Sequence, residues 1–214
     1  LLMQEFQDVV SSIFYKIIFK LENMLLVSQN VKNYYNFKLP NDVVLRINLA
    51  WCNSLNELKK RLSDEKDSKL FLDLPQGRIK PPNNKYSLDE IVPILESNPQ
   101  IRYFAVSNVE GKKDLEPFLE KLPKDIIIVP KIESPNAVDN IKEIFESLRN
   151  NKKIIMLDHD DLFSSILKQN IDKNQFEVYI QRLGEFCEKN NVLLLRTVGV
   201  MFSDDEKRIT QYEK

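Results

Sequence analysis

From residue 43 onward the chain alternates between short apolar runs rich in β-branched residues and segments whose apolar positions recur every three to four residues. No other feature restricts the fold so tightly, because strands alternating with helices mark βαβ units around a parallel sheet. The runs are VVLRINL (43–49), KLFLDL (69–74), IRYFAVS (101–107), DIIIVPK (125–131), KIIMLD (153–158) and VLLLRTVGV (192–200), with NMLLVSQ (23–29) as a seventh. They read as apolar on both faces, as expected of parallel strands lying between helices and either a barrel interior or a second helical layer. The expected fold is an α/β (β/α)8 TIM-type barrel, complete or short of a strand. No eighth run stands out: the tail SDDEKRITQYEK is polar, so closure would call on that tail, a segment of another subunit or sequence outside this chain.

The intervening helices are marked by caps as well as by period. Ser54 with Glu57, and Ser87 with Glu90, fit the capping box, in which serine oxygen and glutamate each satisfy a free N–H of the first turn. Ser134 reads as an N-cap with Pro135 at the first helical position, and Ala137, Val138, Ile141, Ile144, Phe145 and Leu148 form the buried stripe of one helix. Leu115, Phe118, Leu119 and Leu122 mark another, and Phe176, Tyr179, Ile180, Leu183 and Phe186 a third. Upstream, a stripe from Phe6 through Val10, Phe14 and Ile17 to Leu25 predicts an N-terminal amphipathic helix. The predicted division is residues 1–22 for that helix and 23–214 for the barrel domain.

Charge and composition narrow the function. The 31 basic and 32 acidic residues nearly cancel and are interspersed, which argues against nucleic acid as a partner. Asp8, Lys16, Lys20 and Glu22 interrupt the most apolar stretch, so it does not span a membrane; it reads as a helix packed on the core or on a second copy of the chain, with a membrane-surface helix as the alternative. Cys52 and Cys187 stand far apart, and a single histidine accompanies them, which argues against structural zinc and fits a reducing cytoplasm. With four glycines and no Walker loop, GxGxxG, GxSxG or HExxH, glycine-loop nucleotide binding is not expected. A start at Leu1-Leu2-Met3 is the start expected of a processed or trimmed chain.

Several of the apolar runs end in polar residues at their carboxyl ends: Arg46 and Asn48, Asp73, Ser107, Lys131 and Glu133, Asp158 to Asp161, and Arg196 with Thr197. In α/β barrels and open α/β sheets alike, ligands bind at that end of the strands. Glu133 and the Asp158/Asp160/Asp161 group offer hard oxygen ligands without sulfur, a set that favours magnesium or manganese. Arg46 and Lys131 would add cations suited to phosphate, carboxylate or a developing enolate. Each residue also has a plainer reading. The acidic cluster is equally what a solvated loop contains, with Asp161 capping a helix from Leu162; Lys131 and Glu133, two apart on one face, fit a structural ion pair; His159 fits an exposed loop; and Thr197 is an ordinary strand residue.

Taken in order, RINLA (46–50), LFLDLPQGRIK (70–80), YFAVSNVEGKKDL (103–115), IIIVPKIESPNAVDNIKEI (126–144), IIMLDHDDL (154–162) and LLLRT (193–197) resemble the barrel core of pyruvate kinase. IMLDHDDLFSSI looks about as much like the metal loop of the HpcH/HpaI aldolases and citrate-lyase β-type enzymes of the same phosphoenolpyruvate/pyruvate superfamily. The likeness spans residues 43–200, and its most specific piece is PKIESPNAVDNI followed by a strand and D-x-D-D-L. It implies that Glu133 and Asp161 hold Mg²⁺ or Mn²⁺, that Lys131 stabilises an enolate or a transferring phosphoryl group, and that Arg46 faces phosphate. It further implies Asn48 and Asp73 as ligands of K⁺, Thr197 beside the substrate methylene, and Ser107 and Asp160 as substrate- or cation-binding positions.

The departures from pyruvate kinase are specific. A lid domain on the order of a hundred residues, of the kind that closes over a substrate and expels water, has no counterpart, since only PPNNKYS follows Lys80 before the next helix. No allosteric C-terminal domain is present in the sequence, Ala50 stands in place of a cation-binding serine, and Gln76-Gly77 in place of Gly-Pro. Asp160 replaces a glycine whose backbone receives the substrate carboxylate at a helix N-terminus. The expected function is a divalent-metal-dependent enzyme acting through an enolate on pyruvate, phosphoenolpyruvate or a related 2-oxo acid. One alternative is a metal-dependent C–C lyase of the aldolase branch, which needs no lid. The other is a non-catalytic barrel descendant serving as a binding or assembly subunit, with a homo-oligomer contact through the N-terminal helix.

Overall fold

Seven parallel strands pair in strict chain order, which is the topology of a barrel wall built by successive βαβ units. The computed structural model describes residues 24, 26–28, 43–76 and 85–196. The strands are β1 (Leu26–Ser28), β2 (Val44–Asn48), β3 (Lys69–Leu74), β4 (Ile101–Val106), β5 (Ile127–Ile132), β6 (Ile154–Leu157) and β7 (Leu193–Arg196). The helices are α1 (Leu55–Asp64), α2 (Leu88–Glu96), α3 (Lys112–Lys121), α4 (Pro135–Asp139), α5 (Ile141–Ser147), α6 (His159–Lys168) and α7 (Gln175–Lys189). The sheet curls into a half-barrel whose ends, β1 and β7, do not pair among the described residues. The expected barrel is therefore incomplete there. The predicted N-terminal helix and strand residues 197–200 lie outside the described residues, and no described helix is long and apolar enough to cross a membrane.

The sequence alternates along each strand so as to build two different layers. Leu45, Ile47, Leu70, Leu72, Phe104, Ile128, Ile155 and Leu157 pack outward with helix residues such as Leu58, Ile91, Leu115, Ile144, Leu162 and Leu183. The opposite face carries Val44, Phe71, Ala105, Val129, Ile154, Met156 and Leu195, with no helix residue among them. Phe71 stacks on Tyr103 in this inner layer, their ring centroids 6.2 Å apart. Side chains two apart on a strand share a face, so the residues that continue this inner face toward the carboxyl ends are Arg46, Asn48, Asp73, Ser107, Lys131, Glu133 and Asp158. The expectation of strands apolar on both faces thus fails at one end of one face, and that is where the polar residues collect.

Two local expectations change. The single helix expected after Ser134 is divided at Asn140 (φ −90°, ψ 11°), whose N–H closes α4 on Asn136 O at 2.9 Å while its own carbonyl opens α5 through Ile144 N–H at 3.1 Å. Its side-chain amide is drawn off to Glu110 O at 2.8 Å, tying the break to the loop after β4. Likewise α6 begins at His159, not after Asp161, because Asp158 is the residue that caps it.

Candidate functional site

Two diagonal pairings at the carboxyl end of the sheet create the site. Arg46 stands opposite Phe71 in the β2–β3 register, so Asp73, two residues on, is its diagonal neighbour on the same face. Its Nε donates to Asp73 Oδ2 at 3.0 Å and a terminal nitrogen donates to the same oxygen. Lys131 stands opposite Met156 in the β5–β6 register, which makes Asp158 its diagonal neighbour in the same way. The Lys131 ammonium reaches Glu133 Oε1 at 2.5 Å, Asp158 Oδ2 at 3.4 Å and Ser107 Oγ at 3.3 Å. Lys131, on β5, and Glu133, the residue just past its end, are both almost fully buried.

Loop backbones complete the arrangement. Asn108, just past β4, has a left-handed backbone (φ 55°), and its N–H donates to Glu133 Oε2 at 2.6 Å. Its side-chain amide donates to Gln76 O, joining the loops that follow β3 and β4. Asp158 Oδ1 accepts from the Asp161 N–H at 3.3 Å, which brings the Asp161 side chain round to the same place from the first turn of α6. One carboxylate oxygen each from Glu133, Asp158 and Asp161 consequently lies within 4.8 Å of the others.

Burial and charge act against each other across this cluster. Desolvation disfavours the Lys131 charge, but Asp73, Glu133 and Asp158 outweigh it and hold the ammonium above its ordinary pKa. Burial pushes the Glu133 carboxyl up, against the pull of Lys131 and of the Asn108 N–H, so Glu133 is a buried carboxylate still short of positive charge. Burial also opposes the Arg46 charge, and Asp73 foremost, then Asp158 and Glu133, reverse that effect. Arg46 and Lys131 thus face Asp73, Glu133 and Asp158, with an Asp161 carboxylate oxygen close to those of Glu133 and Asp158.

The donor chemistry fits a divalent cation. Three carboxylate oxygens with no sulfur or imidazole are the hard ligands that Mg²⁺ and Mn²⁺ take. Oxygens on one Mg²⁺ stand no more than about 4.2 Å apart, so the 4.8 Å limit of the cluster is within small side-chain adjustments of that spacing.

The expected site residues divide accordingly. Arg46, Asp73, Ser107, Lys131, Glu133 and Asp161 share this end of the sheet through the contacts above. Asn48 accepts from Ala50 N–H at 3.0 Å and so caps the 3₁₀ turn that follows β2. Asp160 is exposed on the first turn of α6, and Thr197 lies outside the described residues. His159, expected on an exposed loop, is instead the first residue of α6, half-buried with its ring edge-on to Phe176 at 6.3 Å. Burial and the Arg196 charge push its pKa down. Of two further contributors, Asp158 belongs to the acidic group read from sequence as hard oxygen ligands, while Asn108 has no role assigned from sequence. Asp158 was visible as part of an acidic run, but its cap geometry was not; Asn108 acts through its main chain, and its only signal is an asparagine, tolerant of left-handed backbone, just beyond a strand.

No protein-family model matches the sequence, and a search of curated proteins finds no match. Solved structures do match in fold. RipC from Yersinia pestis superposes with a TM-score of 0.56 at 13% identity, over 89% of this chain and 86% of that one. An HpcH/HpaI aldolase from Desulfitobacterium hafniense DCB-2 gives 0.58 at 9% identity, over 89% and 83%. The citrate synthase SbnG gives 0.53 at 15% identity, over 78% and 73%. The chain therefore shares the α/β fold of these structures, here as a curled seven-stranded parallel sheet. None of these three neighbours is a pyruvate kinase.

Proposed function

We propose that this protein is a divalent-metal-dependent C–C lyase acting on a small 2-oxo acid through an enolate. The observation that carries the reading is the meeting of the Glu133, Asp158 and Asp161 oxygens beside Lys131 at the carboxyl ends of β5 and β6. An HpcH/HpaI aldolase among the structural neighbours favours the lyase over phosphoryl transfer, as does the short 75–87 connection, which offers no lid domain to cover a nucleotide.

Glu133, Asp158 and Asp161 hold the ion, Mg²⁺ or Mn²⁺ by their chemistry. When bound, it would supply Lewis-acid stabilisation of the charge that develops as the enolate forms. Cleavage of the C–C bond leaves its electron pair on the 2-oxo acid fragment as an enolate, which takes up a proton, while the hydroxyl on the other carbon loses its proton and that carbon departs as an aldehyde or ketone. Lys131 places a permanent positive charge, excluded from water, where that negative charge develops, and Ser107 Oγ orients the ammonium from the side at 3.3 Å. Arg46 is anchored by Asp73 with its side chain still 22% exposed, so it can meet a substrate carboxylate without losing its anchor.

Calorimetric titration of Mg²⁺ and Mn²⁺ together with oxalate, a mimic of the pyruvate enolate, tests the site in wild type and Glu133→Gln. The expected result is ion-dependent oxalate binding in wild type and its loss in the variant. Proton exchange at the pyruvate methyl group, followed by NMR, then reads enolisation directly. Absence of ion and oxalate binding in the wild type would leave a non-catalytic barrel as the better reading.

A further inference from the structure

Lys131 occupies the ground that an incoming cation needs. Its ammonium lies 2.5 Å from Glu133 Oε1 and 3.4 Å from Asp158 Oδ2, two of the three proposed ligands. The other Glu133 oxygen is held by the Asn108 N–H at 2.6 Å, so both oxygens of that carboxylate are already engaged. A divalent ion and an ammonium cannot share this space without strong repulsion, and the low exposure of the pair leaves little water to screen it.

The inner face of the sheet offers the ammonium another partner. Asp73 is fully buried; Arg46 occupies its Oδ2, while its Oδ1 has no hydrogen-bond partner among the described residues. A buried acceptor left in that state is costly. Asp73 lies on the same face as Lys131, level with Val129 through Ala105, and Lys131 is the next residue on that face of β5.

We propose, building on the metal-dependent reading, that Lys131 is a two-seat placeholder: it neutralises Glu133 and Asp158 while the ion is away, and moves its ammonium toward Asp73 Oδ1 when a divalent cation binds. Ion loading and the shift of the ammonium from Glu133 toward Asp73 are then one event, with Ser107 Oγ, 3.3 Å from the ammonium before the move, alongside it. The arrangement keeps a buried carboxylate paired at every stage.

Mn²⁺ binding by isothermal calorimetry in the full chain tests this without reference to activity. Lys131→Met and Lys131→Gln are both expected to bind Mn²⁺ at least about tenfold more tightly than wild type, because no ammonium has to be displaced and one opposing unit charge is gone. Asp73→Asn is expected to weaken Mn²⁺ binding more in the wild-type background than in Lys131→Met, since only the former must reseat an ammonium. Equal or weaker binding in both lysine variants overturns the placeholder, as does an Asp73→Asn effect of the same size in the two backgrounds. If neither lysine variant is folded without metal, recovery of helical circular dichroism on adding Mn²⁺ supports it and failure to recover overturns it. Mn²⁺ binding to none of the proteins, wild type included, instead removes the metal-dependent reading itself.

Discussion

Asn108 shows how much of the site hangs on a single backbone conformation. Its φ of 55° turns the N–H onto Glu133 Oε2 while the side chain holds Gln76 O. Glycine can keep that backbone and a β-branched residue cannot adopt it without cost. Asn108→Gly is therefore expected to lose only the tie to Gln76, on the order of 1 kcal/mol, with Mn²⁺ affinity unchanged. Asn108→Val is expected to cost about 2 kcal/mol or more and to weaken Mn²⁺ binding, since the carboxylate loses its fixed orientation. Urea unfolding and calorimetry on the two variants check this, and equal Mn²⁺ affinities would show that Glu133 needs no such anchor. At this scale the sequence reveals residue types better than it reveals geometry. Lys131, Glu133 and Asp161 stand out because charge at the end of an apolar run has few structural explanations. Asn108 does not, because its contribution is a main-chain N–H that every residue but proline possesses. Asp158 falls between, being one of several acids until the start of α6 is located.

Among the elements, caps were the most legible features and continuity the least. Ser54 and Ser87 accept from the N–H groups of Glu57 and Glu90 at 3.1 and 3.3 Å as their spacing predicts, but only the second box is reciprocal: Glu90 accepts from the Ser87 N–H at 2.8 Å, whereas Glu57 accepts from the N–H of Asn53, one residue before the cap, at 2.8 Å. The break at Asn140 has no sequence signal, because the apolar stripe runs through it without a missed step; the Asn140 side chain there bonds to Glu110 O, distant in sequence. Two serine caps separate stability from site geometry. Ser87 caps α2 away from the acidic cluster, whereas Ser134 follows Glu133 directly, accepts from Ala137 N–H at 3.2 Å and donates to Glu110 at 2.9 Å. Ser87→Ala and Ser134→Ala are each expected to cost about 1 kcal/mol, but only the latter should alter Mn²⁺ affinity. The two effects should also differ with pH. Hydrogen bonds from the Ser87 backbone and hydroxyl hold the Glu90 carboxyl below its ordinary pKa. A depressed carboxyl adds stability that is present above its unfolded pKa and lost as pH falls through the folded one. The stability gap between wild type and Ser87→Ala is thus expected to shrink below the usual carboxylate range, measurable as urea midpoints across an acid series; a gap that widened with acid would contradict the capping box.

At the level of the whole molecule, the alternation of strand and helix was enough to specify a parallel sheet in chain order, because each crossover has one favoured hand and each run is buried beneath its helices. Closure was not legible, since it depends on which segments meet across the barrel and not on the character of any one of them. The two free cysteines report on the consequence. Cys52 follows β2, which is paired on both sides, and Cys187 lies on α7 beneath β7, which has a single neighbour among the described residues. Both thiols are buried; burial raises the Cys52 pKa and pushes the Cys187 thiol up to about 12. Neither can react as a thiolate in the closed fold near neutral pH, so modification requires an opening. A strand bonded on one side opens at lower free energy than one bonded on both. Cys187 is therefore expected to be alkylated faster than Cys52 in native buffer, with the Cys187 rate insensitive to low urea and the Cys52 rate rising with it as a global opening does. Peptide mass spectrometry after timed iodoacetamide exposure resolves the two sites. Matched rates with the same urea dependence would mean that the curled sheet opens as one cooperative unit, β7 held as firmly as β2.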